Sequence, residues 1–209
     1  MSDGINSVVL KGELCWPELK YTTTGKALFK AKVKISNTDN NGEEKSSYLR
    51  IVAWDNFAEY LNSLQRGSCV RISGRIQERS FQDNSGQKRN VTDIVVDGVE
   101  LADGNVGENY FTLQGELVWP DFKQVGERQT SLFRSKVKIP YVRNDGTLGS
   151  SYVRITAWDE MADGLRSIRE GDTVKVSGHI QDRSWTDPAS GTKKIFTDAV
   201  VTNFTSAGA

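Results

Sequence analysis

The chain has a single histidine, His179, and two cysteines, Cys15 and Cys69, in 209 residues. Neither cysteine belongs to a Cys-x-x-Cys pair. A structural zinc site needs about four closely spaced ligands, so no metal site is expected. Both thiols read as reduced and half-buried in strands; a disulfide between them is the lesser alternative. No apolar run approaches the ~18–20 residues that span a bilayer. Met1-Ser2-Asp3-Gly4-Ile5-Asn6 has no basic region followed by an apolar core, so no signal peptide is read there. The expectation is a cytoplasmic protein that does not meet the membrane. The chain also lacks a Gly-x-x-x-x-Gly-Lys phosphate loop and a nucleophile–base arrangement, so neither an enzyme nor a cofactor is expected. An excess of either charge sign is missing too: 27 basic residues face 27 acidic ones. Nucleic-acid binders usually carry a basic excess, so the placement of charge matters more than its sum.

What is present is a sequence written twice. Gly12-Glu13-Leu14-Cys15-Trp16-Pro17 returns as Gly115-Glu116-Leu117-Val118-Trp119-Pro120. Ser47-Tyr48-Leu49-Arg50-Ile51-Val52-Ala53-Trp54-Asp55 returns as Ser151-Tyr152-Val153-Arg154-Ile155-Thr156-Ala157-Trp158-Asp159. Ile76-Gln77-Glu78-Arg79-Ser80-Phe81 returns as Ile180-Gln181-Asp182-Arg183-Ser184-Trp185. The offset is 103 residues at first and 104 or 105 further on. A near-constant offset of this size marks a duplicated domain. The expected division is 1–103, a short polar linker at 104–108, and 109–209.

Each copy reads as strands. Val8 to Leu14 is β-rich and ends at Trp16-Pro17. From Ala27 to Ile35, Phe29, Ala31, Val33 and Ile35 alternate with Lys30, Lys32 and Lys34, the period of a half-buried strand. Asn40-Asn41-Gly42 marks a long turn. Tyr48 to Trp54 buries Leu49, Ile51 and Ala53. A helix follows, with Asp55 as N-cap, Phe57, Tyr60, Leu61 and Leu64 as its apolar face, and Gly67 at its end. A fourth strand runs from Cys69 to Phe81, with Val70, Ile72, Gly74 and Ile76 inward. Asp83-Asn84-Ser85-Gly86 turns into a last strand, Asn90 to Leu101. Three strands, one helix and two strands make the OB-fold. The fold class is therefore all-β with one short helix per domain, as two tandem five-stranded barrels.

The same alternation maps the outer surface. Lys30, Lys32 and Lys34 point outward, as do Tyr48, Arg50 and Trp54, and then Arg71, Arg75, Arg79 and Phe81. The second copy offers Arg134, Lys136 and Lys138, then Tyr152, Arg154 and Trp158, then Lys175, His179, Arg183 and Trp185. Rings stack on unpaired bases and cations follow phosphates, which suits single-stranded nucleic acid. Strand aromatics are often mere cross-strand packing, but recurrence beside arginines in both copies favours stacking. A lysine stripe is equally well a solvated sheet face, and both readings stand. Trp16 and Trp119, each before a proline, read as packing, with base stacking as the lesser alternative. Phe57 and Tyr60 read as helix core.

In the order and spacing of these motifs the chain resembles the bacterial single-stranded DNA-binding protein family. The resemblance rests on Asn6-Ser7-Val8-Val9-Leu10-Lys11-Gly12, the Tyr48–Trp54 strand, Arg66-Gly67-Ser68-Cys69-Val70-Arg71-Ile72-Ser73-Gly74, and Phe81-Gln82-Asp83-Asn84-Ser85-Gly86. In the second copy it rests on Arg169 to Gly178 and on Trp185-Thr186-Asp187. It implies base stacking at Tyr48, Trp54 and Phe81, and at Tyr152, Trp158 and Trp185. The family's further loop aromatic has Tyr141 as its stand-in, with no match in the first copy. Two-domain members form dimers, so the resemblance implies a homodimer with four OB units. The family's acidic C-terminal tail, which recruits partner proteins, has no counterpart in Phe204-Thr205-Ser206-Ala207-Gly208-Ala209, so recruitment through such a tail is not expected. A phage-encoded, plasmid-encoded or otherwise specialised member would fit.

The main expectation is sequence-independent single-stranded DNA binding in replication, recombination or repair. An OB-fold interaction module of a replication or recombination complex, and a single-stranded RNA binder, are the alternatives.

Overall fold

A computed structural model of the chain describes residues 4–38, 44–82, 86, 88–104, 107–143, 145–186, 191 and 193–206. At positions 37, 38, 44, 45, 88, 89, 185 and 193–195 only the backbone is described. The turn expected at Asn40-Asn41-Gly42, most of the one at Asp83-Asn84-Ser85-Gly86, Asp187, linker residues Asn105 and Val106, and the last three residues lie outside the described part.

The first repeat forms β1 (Ile5–Tyr21), β2 (Ala27–Thr38), β3 (Glu44–Trp54), α1 (Asp55–Ser63), β4 (Cys69–Gln82) and β5 (Lys88–Leu101). The second forms β6 (Glu108–Val125), β7 (Thr130–Val142), β8 (Leu148–Trp158), α2 (Asp159–Leu165), β9 (Thr173–Thr186) and β10 (Lys193–Ser206). β1 runs antiparallel to β2 and to β4, and β2 antiparallel to β3. β3 lies parallel to β5, which returns antiparallel along β4. The five strands therefore close on themselves, with the helix between the third and fourth. β6 to β10 repeat the circuit. This is the OB-fold, twice, in an all-β chain.

Period-two alternation places the core. Phe29, Val33 and Ile35 are fully buried, as are Leu10, Leu14, Leu49, Ile51, Ile72 and Ile76. Phe111, Phe133, Leu113, Leu117, Val137, Val153 and Ile155 do the same in the second repeat. At roughly 1.5–3 kcal/mol per large apolar side chain removed from water, this burial is the main stabilising term.

By its contacts the chain divides into two compact units. One holds residues 8–110 with 182–197; the other holds 1–7, 111–181 and 198–209.

Three local expectations are corrected. Trp16-Pro17 does not end β1. The strand continues to Tyr21 through a bulge between Cys15 and Glu18, and β6 has the same bulge between Val118 and Asp121. A bulge absorbs the unpaired proline nitrogen without ending the ladder. Second, Asp55 is not the N-cap. Trp54 holds that position without a side-chain cap bond, and Asp55 sits in the first turn at φ 49°. The helix stops at Ser63, so Gly67, at φ 90°, forms the turn into β4 rather than the helix end. Third, Phe57 and Tyr60 are 37% and 41% exposed, not core. A nine-residue helix buries only the narrow stripe that faces the barrel, here Ala58 and Leu61. The cysteines are free thiols; Cys15 is buried, and that burial pushes its pKa up.

Candidate nucleic-acid interface

The outer face of β1, β2 and β3 carries a layered aromatic–cation cluster. Tyr48 on β3 lies opposite Lys34 of β2, and Arg50 lies opposite Lys32. Across β2, the Trp16 ring from the β1 bulge reaches Tyr48, with ring centroids 5.2 Å apart. The Lys32 ammonium lies 5.8 Å from the Trp16 centroid. The second repeat rebuilds this with Trp119, Tyr152 and Lys136: the rings are 5.5 Å apart and within 14° of parallel, and the ammonium is 5.9 Å away. Lys30, Lys32 and Lys34 all lie half-buried on the outward parity, their stems over the sheet. Arg134, Lys136 and Lys138 match them.

At the ends of β3 and β8, Trp54 is exposed and Trp158 half-exposed. Phe81 is exposed towards the end of β4, where Arg75 is exposed as well. Its counterpart Trp185 lies in β9, but its side chain is outside the described residues. Tyr141 is exposed near the end of β7 and pairs with Gly149, whose missing side chain leaves room for the ring to lie over the backbone.

The arginines have partners that sequence reasoning did not assign. Asp93, only 2% exposed, sits on β5 between β3 and β4. Its carboxylate meets Arg79 at 2.5 Å and Arg50 at 3.2 Å. The Arg50 contact is an ion pair without hydrogen-bond geometry, so the Asp93 oxygen on that side accepts no bond. One carboxylate thus orients two guanidiniums and leaves a net positive charge on the outer side. Asp198, Arg154 and Arg183 hold the corresponding positions in the second repeat, with Asp198 buried.

Arg71 stands differently. It contacts Glu108 at 3.0 Å and Glu100 at 3.3 Å and also donates to the Tyr110 hydroxyl. The Glu108 and Glu100 hydrogen bonds push its pKa up. Between two carboxylates it offers no surplus charge to a phosphate. Lys138 is likewise paired, with Glu116 at 2.9 Å, and that hydrogen bond pushes its pKa up. Lys175, the counterpart of Arg71, is exposed. His179 is half-buried on β9, and burial lowers its pKa.

Sequence reasoning missed the exposure of Trp16 and Trp119, at 53% and 61%. Their packing role stands in part: each packs on a tyrosine, yet the residue stays largely exposed. The signal was the repeated Trp-Pro pair, which marks a bulge when it interrupts a strand. Asp93 was missed because a lone strand aspartate reads as solvent-facing.

The model of the family described as the single-strand binding protein family matches residues 5–102. Single-stranded DNA-binding protein 2 of Listeria monocytogenes serovar 1/2a is 37% identical over 101 residues, which is 46% of this chain and 63% of that protein. Single-stranded DNA-binding protein 2 of Listeria innocua serovar 6a is 34% identical over 116 residues, 51% of this chain and 73% of its own length. Single-stranded DNA-binding protein A of Bacillus subtilis strain 168 is 34% identical over 107 residues, 49% of this chain and 62% of that one. The match thus spans roughly two-thirds of these relatives and about half of this chain. Over the whole chain, the wild-type single-stranded DNA binding protein from Thermus aquaticus superimposes with a TM-score of 0.78 at 21% identity, covering 95% of that structure. At that identity the likeness speaks for the fold.

Proposed function

The chain belongs to the single-strand binding protein family, and on that premise we propose that it coats single-stranded DNA without reading sequence, protecting it during replication, recombination or repair. The observation that carries this reading is the outer face present in both repeats, where exposed rings alternate with lysines and arginines. Rings stack on bases of any identity, and each stack contributes about 1–3 kcal/mol. Lys30, Lys32, Lys34, Arg134 and Lys136 follow the phosphates, joined by Arg75, Lys175 and the aspartate-oriented Arg50 and Arg79. Arg154 and Arg183 take the same role in the second repeat. Arg71 and Lys138 contribute least, because carboxylates already neutralise them. Tyr48, Trp54, Phe81, Tyr141, Tyr152, Trp158 and Trp185 are the stacking set.

With no net charge, affinity leans on stacking, so its salt dependence is shallow for a protein of this class. The function is binding rather than catalysis. The working arrangement we propose is two domains, 1–103 and 109–209, in a homodimer that presents four OB units. Titration with oligo-dT, followed by tryptophan fluorescence, tests the reading. Strong quenching is expected at low salt; none there would overturn it. Light scattering with and without oligo-dT tests the dimer.

A further inference from the structure

We propose that Trp16 and Trp119 are themselves base-stacking residues: each packs against a tyrosine ring, tilted by 39° at Trp16 and stacked at Trp119, takes an unpaired base on its free face, and has Lys32 or Lys136 at the adjacent phosphate. The inference rests on the single-strand-binding reading and names a further contact within it.

The backbone gives the first reason. Trp16 and Trp119 sit in the bulges of β1 and β6 at φ 51° and 54°. A bulky residue at positive φ is a genuine outlier, and glycine is the residue that fits such a bulge. Strain of this kind persists only where its surroundings enforce it, and it concentrates at working sites. Both repeats place the largest aromatic there. Packing alone does not account for it, because the two residues are 53% and 61% exposed.

Ring spacing gives the second reason. The Trp–Tyr centroids lie 5.2 and 5.5 Å apart, in direct contact. A base between them would need planes roughly 7 Å apart, two layers of about 3.4 Å each. The tyrosine face turned toward the tryptophan is therefore occupied. The next base belongs on the other tryptophan face, which extends the stacking platform that Tyr48 and Tyr152 begin. The third reason is charge. A lysine ammonium lies within 6 Å of each tryptophan centroid, close enough to serve the phosphate of a stacked nucleotide.

The test uses the full chain and a fluorescently labelled oligo-dT read by anisotropy. The double variant Trp16→Gly/Trp119→Gly removes both rings and suits the left-handed backbone. It should melt no lower than the parent yet bind about tenfold or more weakly. Trp16→Phe/Trp119→Phe keeps a ring at each site and should bind within about threefold of the parent. A third variant, Trp54→Phe/Trp158→Phe/Trp185→Phe, leaves Trp16 and Trp119 as the only tryptophans. Oligo-dT should quench its emission. Parental affinity in the glycine variant, or unquenched emission from a protein that anisotropy shows to be bound, overturns this inference and leaves the binding function standing. A parent chain that does not bind oligo-dT at low salt overturns the function, and this inference with it.

Discussion

The Arg79 guanidinium meets the Asp93 carboxylate at 2.5 Å, joining an outer-face cation to a nearly inaccessible anion. Arg50 approaches the same carboxylate from the opposite strand, so β3, β5 and β4 are cross-linked by charge at one point. Removing the anion would leave two half-exposed arginines without their anchor. Asp93→Ala is expected to lower stability by roughly 1–3 kcal/mol, below the range for a fully buried pair because the arginines see water. Asp93→Asn, which still accepts a hydrogen bond, should cost less. Urea denaturation of both variants checks the order, and equal stability of Asp93→Ala and the parent would refute it.

Arg71 and Arg75 lie on one strand at the same parity, yet of the two only Arg75 is without a carboxylate pair among the described residues. Arg75→Gln should reduce the slope of log affinity against log salt by about 0.7 if its charge sits on one phosphate. Arg71→Gln should leave that slope unchanged. Oligo-dT titrations over a salt series separate the two, and a matching change in both would show that carboxylate pairing does not silence Arg71.

His179 titrates below the ordinary 6.5 because burial disfavours its charged form. The unfolded chain then takes up a proton at higher pH than the folded one. This residue's share of stability is complete above about 6.5 and is lost as pH falls through the window down to its folded pKa. Thermal melts at pH 7.5 and 5.5 should show a decrease that His179→Gln diminishes. An identical pH response in the variant would assign the decrease to other groups.

Gly12 and Gly115 open the repeated Gly-Glu-Leu motif for a steric reason. A methyl group on either would strike the carbonyl of Lys34 or Lys138 on the neighbouring strand. Gly12→Ala must push β1 from β2 and should destabilise by roughly 1–3 kcal/mol. Gly25→Ala makes a useful contrast. It meets no neighbour but strains a residue at φ 79°, so its cost should be a local backbone one, of about 1 kcal/mol. Melting of the two variants gives the comparison.

Much of the fold was legible because strand alternation is a local signal. Phe29, Val33 and Ile35 on one parity and Lys30, Lys32 and Lys34 on the other need only chemistry and period two to be sorted. The duplication was legible for a similar reason: identical contacts require similar residues at similar spacing. The helix was less so, since Phe57 and Tyr60 are apolar by type but too far round a short helix to reach the barrel.

The order of the strands, their inward and outward faces, the doubling of the domain and the outward parity of Tyr48, Tyr152 and their lysines are properties of the sequence by itself. They follow from residue type and spacing along the chain. The tertiary structure decided which of those outward groups meet. Asp93 joins Arg50 and Arg79 only because β5 closes the barrel between β3 and β4. Trp16 meets Tyr48 only because a bulge turns its side chain across β2. Both are contacts between strands distant in sequence. Their geometry depends on register and backbone twist at single residues, which no local pattern encodes.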